Sequence, residues 1–139
     1  MTVEEIATLV AESASRFGDQ NPQQLDYLTS RLRAVNEATV AQGLLSVFTD
    51  GAAPPSGAAA QELAGRLLAA LQPKAEINLR QILPVVLGRY ELSVEQLPHY
   101  LASLFGSDLV LAELGHLGEA DLSQRELQAL QTMRFWLRE

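Results

Sequence analysis

A six-residue pattern that starts α-helices occurs three times in this sequence. Each copy has an apolar residue, then Thr or Ser, then Glu or Gln three positions later, and then a second apolar residue. The copies occupy residues 1–6, 92–97 and 122–127. In such a capping box the hydroxyl accepts a backbone N–H, the Glu or Gln side chain accepts another, and the apolar pair packs across the first turn. Helically spaced apolar residues follow each copy, so the pattern predicts three helix starts.

The first helix is predicted over Val3–Phe17. The residues expected to be buried along it are Val3, Ile6, Val10 and Phe17. Gly18 is expected to end this helix, because glycine readily adopts the left-handed conformation found at helix C-termini. Asn21 is the expected cap of a second helix, with Pro22 at the first position, where a missing N–H costs nothing.

Residues 22–58 leave one question of helix number open and contain one clear loop. Apolar residues continue at helical spacing from Leu25 to Phe48, which fits either one long helix or two helices that break at Asn36. Residues 50–57 (DGAAPPSG) predict a loop, since Gly, Pro-Pro and Ser-Gly all favour turns. A surface loop within one domain fits the chain length better than a linker between two domains.

The middle of the chain predicts two contrasting helices. Ala58–Leu71 is rich in alanine and places its leucines on one side. Residues 75–90 carry apolar side chains on every side of a helix, which predicts a buried central helix. Pro84 is expected to kink that helix or to start its second half.

The complete pattern predicts an all-α chain. Further helices are expected over residues 93–105, over about residues 107–114 and over Gln124–Arg138, with Ser93, Ser107 and Ser123 as caps. The total is about six to eight helices, with no hairpin or βαβ pattern. We expect a single helical domain over residues 1–139, arranged as an irregular multi-helix bundle, with a short αα-solenoid as the alternative.

Composition excludes several classes of chemistry and of partner. The chain has 139 residues, no cysteine and a net charge of −7. It therefore contains no disulfide, no thiolate nucleophile and no thiolate metal site. An acidic chain is a poor ligand for nucleic-acid phosphates. No apolar run approaches the ~18 residues of a membrane span, and the acidic N-terminus lacks the basic region of a secretory signal, so we expect a cytoplasmic protein.

The polar residues show no catalytic or cofactor-binding motif, so we expect neither an enzyme nor a bound cofactor. Glu95 and His99 lie four residues apart, and Glu113 and His116 lie three apart. Glu-x-x-His is the repeated ligand unit of carboxylate-bridged metal bundles, but here it occurs once. The alternative function is a small-molecule, metal or haem-binding helical protein that uses these four side chains in its interior.

Charge is distributed unevenly along the chain. Residues 91–121 contain six acidic residues and no Lys or Arg. The simplest interpretation is a solvated face that keeps the protein soluble. The functional interpretation is a docking surface for a basic partner.

The C-terminal helix provides the most specific functional prediction. Leu127, Leu130, Met133 and Leu137 form one apolar stripe, whereas Phe135 and Trp136 fall on two other sides. Large aromatic side chains outside the main stripe are enriched in association surfaces. We therefore predict a non-enzymatic protein–protein interaction module, acting as an adaptor, inhibitor or regulator and associating as a homodimer. The predicted partner-binding residues are Phe135, Trp136 and Met133.

Overall fold

Eight α-helices account for most of the residues that the structure describes. The structure, a computed structural model, describes residues 1–138, and within that range it contains no β-strand. The helices are α1 (Val3–Phe17), α2 (Pro22–Arg33), α3 (Glu37–Thr49), α4 (Ala58–Leu71), α5 (Leu79–Leu87), α6 (Gln96–Phe105), α7 (Ser107–Leu117) and α8 (Gln124–Arg138). The predicted all-α, multi-helix bundle is confirmed.

Two of the three predicted capping boxes are present. The Thr2 hydroxyl accepts the Glu5 backbone N–H at 3.1 Å, and Glu5 accepts the Thr2 N–H at 3.0 Å. Ser123 and Glu126 repeat the arrangement at the start of α8, at 3.1 and 3.0 Å. These hydrogen bonds favour the charged carboxylates, so they lower the pKa of Glu5 and that of Glu126.

The middle capping box does not form, and Ser107 is not a cap. The Ser93 hydroxyl donates instead to the carboxylates of Glu62 and Glu91, and α6 begins at Gln96. A contact with Glu62 on α4, far away in sequence, has replaced the local cap. Ser107 is the first residue of α7, which starts at the sharp turn made by Gly106 at a φ of 87°.

The open question over residues 22–48 resolves as two helices. Asn36 accepts hydrogen bonds from the backbone N–H groups of Ala38 and Thr39 at 3.0 and 3.3 Å, and so caps the start of α3. Gly18, at a φ of 73°, ends α1 as predicted. Residues 50–57 connect α3 to α4 without helix or strand.

Two predictions of burial are wrong. The helix expected over residues 75–90 is only nine residues long, because Asn78 caps its start at Leu79 and it ends at Leu87, before Gly88. It buries one face, and Val85 on its other side is 46% exposed. Phe17, predicted to be buried, is 49% exposed at the last residue of α1.

All eight helices contribute to one core, and α4 lies at its centre. Its apolar face packs against α1, α2, α3 and α6. The fully or almost fully buried residues of this face are Leu63, Ala64, Leu67 and Leu68. Glycine permits two neighbouring segments to approach closely. A Cβ on Gly43 would lie 2.7 Å from Ile6 of α1, and a Cβ on Gly65 would lie 2.7 Å from Val94, and both distances are too short for a real side chain.

A buried glutamine joins α4 to the turn before α6. Gln61 is fully buried, donates to the Arg89 carbonyl at 2.7 Å and accepts the Glu91 N–H at 2.8 Å. Tyr90, beside them, donates its hydroxyl to the Val94 carbonyl at 2.5 Å. These bonds satisfy backbone groups that the turn leaves without helical partners, and they position α6 and the end of α8 that packs on it.

Candidate association surface

One face of α8 packs into the core. Ala129, Leu130 and Met133 are buried there, where α8 meets α5, α6 and α7. Met133, one of the three predicted partner-binding residues, is 0% exposed. The structure therefore places Met133 in the interior and separates it from the surface of α8.

Trp136 is half-buried and is held by two polar contacts. Its indole N–H points at the Leu92 carbonyl at 3.5 Å, the outer limit of a hydrogen bond. Its own carbonyl lies 3.2 Å from Nε2 of His99 on α6. Trp136 thus fixes the last turn of α8 against α6 and the preceding turn.

Phe135 lies beside this fixed tryptophan and faces solvent. Its side chain is 57% exposed. The two rings meet edge to face, with centroids 5.2 Å apart and planes at 63°. This geometry is favourable for aromatic pairs, so Trp136 restricts the Phe135 ring without covering it.

Two arginines flank Phe135 on the same side of the helix. Gln131, Arg134, Phe135 and Arg138 line a shallow cleft of about 530 Å³, and we call these four residues the α8 outer face. They are spaced at i, i+3, i+4 and i+7, which places them on one stripe of a helix. Sequence reasoning identified the aromatic pair but missed the arginines, although the same helical spacing indicates them.

The basic charge of α8 contrasts with the rest of the chain. Residues 124–138 contain three arginines and one acidic residue, whereas the whole chain carries a net charge of −7. Like charges on neighbouring turns of an exposed helix are mildly unfavourable in the isolated protein. An acidic surface placed opposite them would remove that cost.

The acidic segment over residues 91–121 does not form one uncompensated surface. Glu113 is buried, and its carboxylate accepts a hydrogen bond from Nε of Arg80 at 2.9 Å. Glu95, Asp108, Glu119 and Asp121 are exposed at different points of α6, α7 and the following turn. Arg80 comes from α5, so the sequence pattern of the segment alone gave no indication of this ion pair.

The residues of the alternative, cofactor-binding hypothesis are dispersed. His99 and His116 are both exposed, while Glu113 is buried and paired with Arg80. Across residues 1–138, no three His, Asp or Glu side chains come together as metal ligands. Burial raises the pKa of Tyr90, and it raises the pKa of Tyr100 to about 12, so both phenols are protonated donors near neutral pH.

Comparisons with known proteins add no relative of this chain. Neither the protein-family models, nor the curated proteins, nor the solved structures that were searched contain a match. None of the helices in residues 1–138 has both the length and the apolar character needed to cross a membrane. The α8 outer face therefore has to be interpreted from its own geometry and charge.

Proposed function

We propose that this chain is a self-associating protein-binding module and that the α8 outer face is its contact surface. The observation that carries the proposal concerns Phe135. Its ring is exposed, packs edge to face on Trp136 and lies between Arg134 and Arg138. Trp, Tyr and Arg dominate the residues that contribute most to protein–protein binding, and aromatic residues are enriched in interfaces. The α8 outer face combines an exposed aromatic ring with two arginines, and Trp136 packs beside it.

The rigidity of this surface supports a binding role. Association costs free energy when side chains must be ordered at the interface. Phe135 rests against Trp136, and Trp136 is held by contacts with Leu92 and His99, so much of this ordering precedes binding. An exposed aromatic ring that is already restricted gains more from a partner than a mobile one.

Sedimentation equilibrium tests the proposal directly. Wild-type protein is expected to show a concentration-dependent mass between about 1 µM and about 1 mM, a range that covers small, transient interfaces. Phe135→Ala is expected to weaken the association at least tenfold, which corresponds to about 1.4 kcal/mol.

Phe17→Ala is the matched control, because Phe17 is a similarly exposed phenylalanine at the end of α1. It is expected to associate like the wild type. A wild-type protein that stays monomeric over the whole range contradicts the proposal. Equal weakening by the two substitutions would show that α8 is not a specific contact surface.

A further inference from the structure

A second exposed apolar site lies between α5, α6 and α7. It is a shallow hollow of about 560 Å³ that opens to solvent. We call it the α7 hollow. Six of its lining residues carry the argument: Ile77, Phe105 and Leu109 are apolar, and Glu76, Arg80 and Glu113 are charged.

The apolar part of the α7 hollow is open to solvent. Leu109 is 47% exposed, and Ile77 and Phe105 are half-buried. Apolar side chains that are partly in water favour binding when a partner covers them, at about 25 cal/mol per Å² of apolar surface. The hollow is therefore apolar enough to receive an aromatic side chain.

The charges around the α7 hollow complement those of α8. Two acids line the hollow against one arginine, and Arg80 and Glu113 pair with each other at 2.9 Å, which leaves the charge of Glu76. Glu76 is exposed, and Asp108 precedes Leu109 on α7 and is also exposed. The excess charge beside the apolar residues is thus negative.

The charges of α8 disfavour its pairing with a second α8. None of the four residues of the α8 outer face is acidic, so two such faces in contact would bring Arg134 and Arg138 of both copies together. Opposed like charges at an interface cost free energy and are a common means of excluding wrong pairings. An acidic, apolar receptor on another part of the molecule avoids this repulsion.

We infer that the α8 outer face of one copy binds the α7 hollow of a second copy, with Phe135 entering between Ile77, Phe105 and Leu109. The arginines flanking Phe135 then lie near the acids around the hollow. The two surfaces share no residue. Such a contact closes as a two-fold dimer where both copies engage reciprocally, and otherwise it continues head to tail from copy to copy as a ring or a chain. The inference rests on the proposed self-association through α8 and adds the identity of the receptor.

A complementation experiment with two variants tests the inference. Phe135→Ala disables the α8 outer face and leaves the hollow intact. Leu109→Lys disables the hollow, because it replaces an apolar contact with a charge that repels arginine, and leaves α8 intact. Each variant alone is expected to be monomeric, and an equimolar mixture is expected to form a 1:1 complex whose mass stops at two copies, as measured by light scattering.

Val85→Lys is the matched control for Leu109→Lys. Val85 is 46% exposed on α5 and does not line the hollow. Val85→Lys is expected to associate like the wild type. Thermal unfolding followed by circular dichroism checks that all three variants fold, which their exposed positions favour.

The possible outcomes separate the receptor from the proposed function. If Leu109→Lys associates like the wild type while Phe135→Ala does not, the α7 hollow is not the receptor and the association through α8 stands. If the two variants are monomeric alone and remain monomeric when mixed, head-to-tail binding is overturned. If the wild type itself is monomeric, both the inference and the proposed self-association fail.

Discussion

The four N-terminal helices and the four C-terminal helices are held in place by different kinds of contact. Within residues 1–72, α1, α2, α3 and α4 meet through apolar side chains and small residues, and no side-chain hydrogen bond described there joins one of these helices to another. At one such contact a Cβ on Gly43 of α3 would lie only 2.7 Å from Ile6 of α1. Steric fit therefore determines this part of the bundle.

The C-terminal helices depend on hydrogen bonds between distant residues. Among the described residues, every side-chain hydrogen bond that joins residues far apart in sequence has at least one partner in residues 88–136. Examples are the bonds of Gln61 to Arg89 and Glu91, and the bond of Tyr100 to the Pro73 carbonyl.

This difference separates two ways of specifying a helix position. Apolar packing tolerates small shifts as long as volume is conserved, and it fails when an atom is added where none fits. A buried hydrogen bond fails when one partner is removed, because the other is left without water or protein to bond. The two parts of the bundle should consequently respond to opposite kinds of substitution.

The largest loss of stability is expected for Gly43→Leu. A Cβ at this position already lies 2.7 Å from Cβ and Cγ2 of Ile6, which is fully buried. A leucine side chain must separate α1 from α3, and we expect the free energy of unfolding to fall by about 3 kcal/mol. Urea unfolding followed by circular dichroism measures it.

Gly115→Ala is the control for this steric argument. Gly115 lies within α7, and a Cβ there meets nothing within 4 Å. Alanine is a better helix former than glycine, so this variant should be more stable by about 0.5–1 kcal/mol. A Gly43→Leu variant with the same free energy of unfolding as the wild type would show that α1 and α3 are not in close contact at this position.

Gln61→Ala should give the next largest effect. It removes both hydrogen bonds of a fully buried side chain and leaves the Arg89 carbonyl and the Glu91 N–H without partners. We expect the free energy of unfolding to fall by about 2–3 kcal/mol in urea.

Two further variants show whether the hydrogen bonds of Gln61 or its volume is responsible. Gln61→Met keeps most of the volume and removes the bonds, so it should destabilise nearly as much as alanine. Gln42→Ala, at an exposed position of α3, should change stability by less than about 0.5 kcal/mol. A Met variant as stable as the wild type would show that the bonds contribute little.

The same difference explains which elements could be predicted from the sequence. The bounds of α1 and α4 follow from caps, glycines and apolar periodicity, because those helices are specified by local chemistry and by packing. The start of α6 could not be predicted, since Ser93 bonds to Glu62 on α4 instead of capping its own helix. The sequence places the start of α5 too early, because residues 75–77 adjoin a segment that is apolar on every side and Asn78 is not recognised from that pattern as a cap.

The candidate site was predictable only in part, for the same reason. The exposure of Phe135 follows from its position off the apolar stripe of α8. The burial of Met133 follows from that stripe as well, and assigning it to the surface contradicted the pattern. The α7 hollow joins residues from α5, α6 and α7, and no local pattern indicates which helices will adjoin.

The smallest effect is expected for Tyr100→Phe, and it should depend on pH. Tyr100 is buried and donates its hydroxyl to the Pro73 carbonyl, so losing the bond should cost about 1 kcal/mol near neutral pH. Tyr27→Phe, which alters an exposed tyrosine that contacts Arg31, should cost less than about 0.5 kcal/mol. Urea unfolding of both variants measures the difference.

Alkaline pH sharpens this last comparison, because burial raises the pKa of Tyr100 from its ordinary value of 10.0 to about 12. Between these values the unfolded chain has lost the phenolic proton while the folded chain retains it, so the folded state binds more protons and stability falls as pH rises above 10.

Tyr100→Phe lacks this contribution, and its stability should therefore fall less steeply than that of the wild type over that range. Tyr90 is present in both proteins, and its own raised pKa affects both curves alike. Parallel curves would show that the Tyr100 hydroxyl is accessible to water, and would remove Pro73 from the set of polar contacts that hold α6.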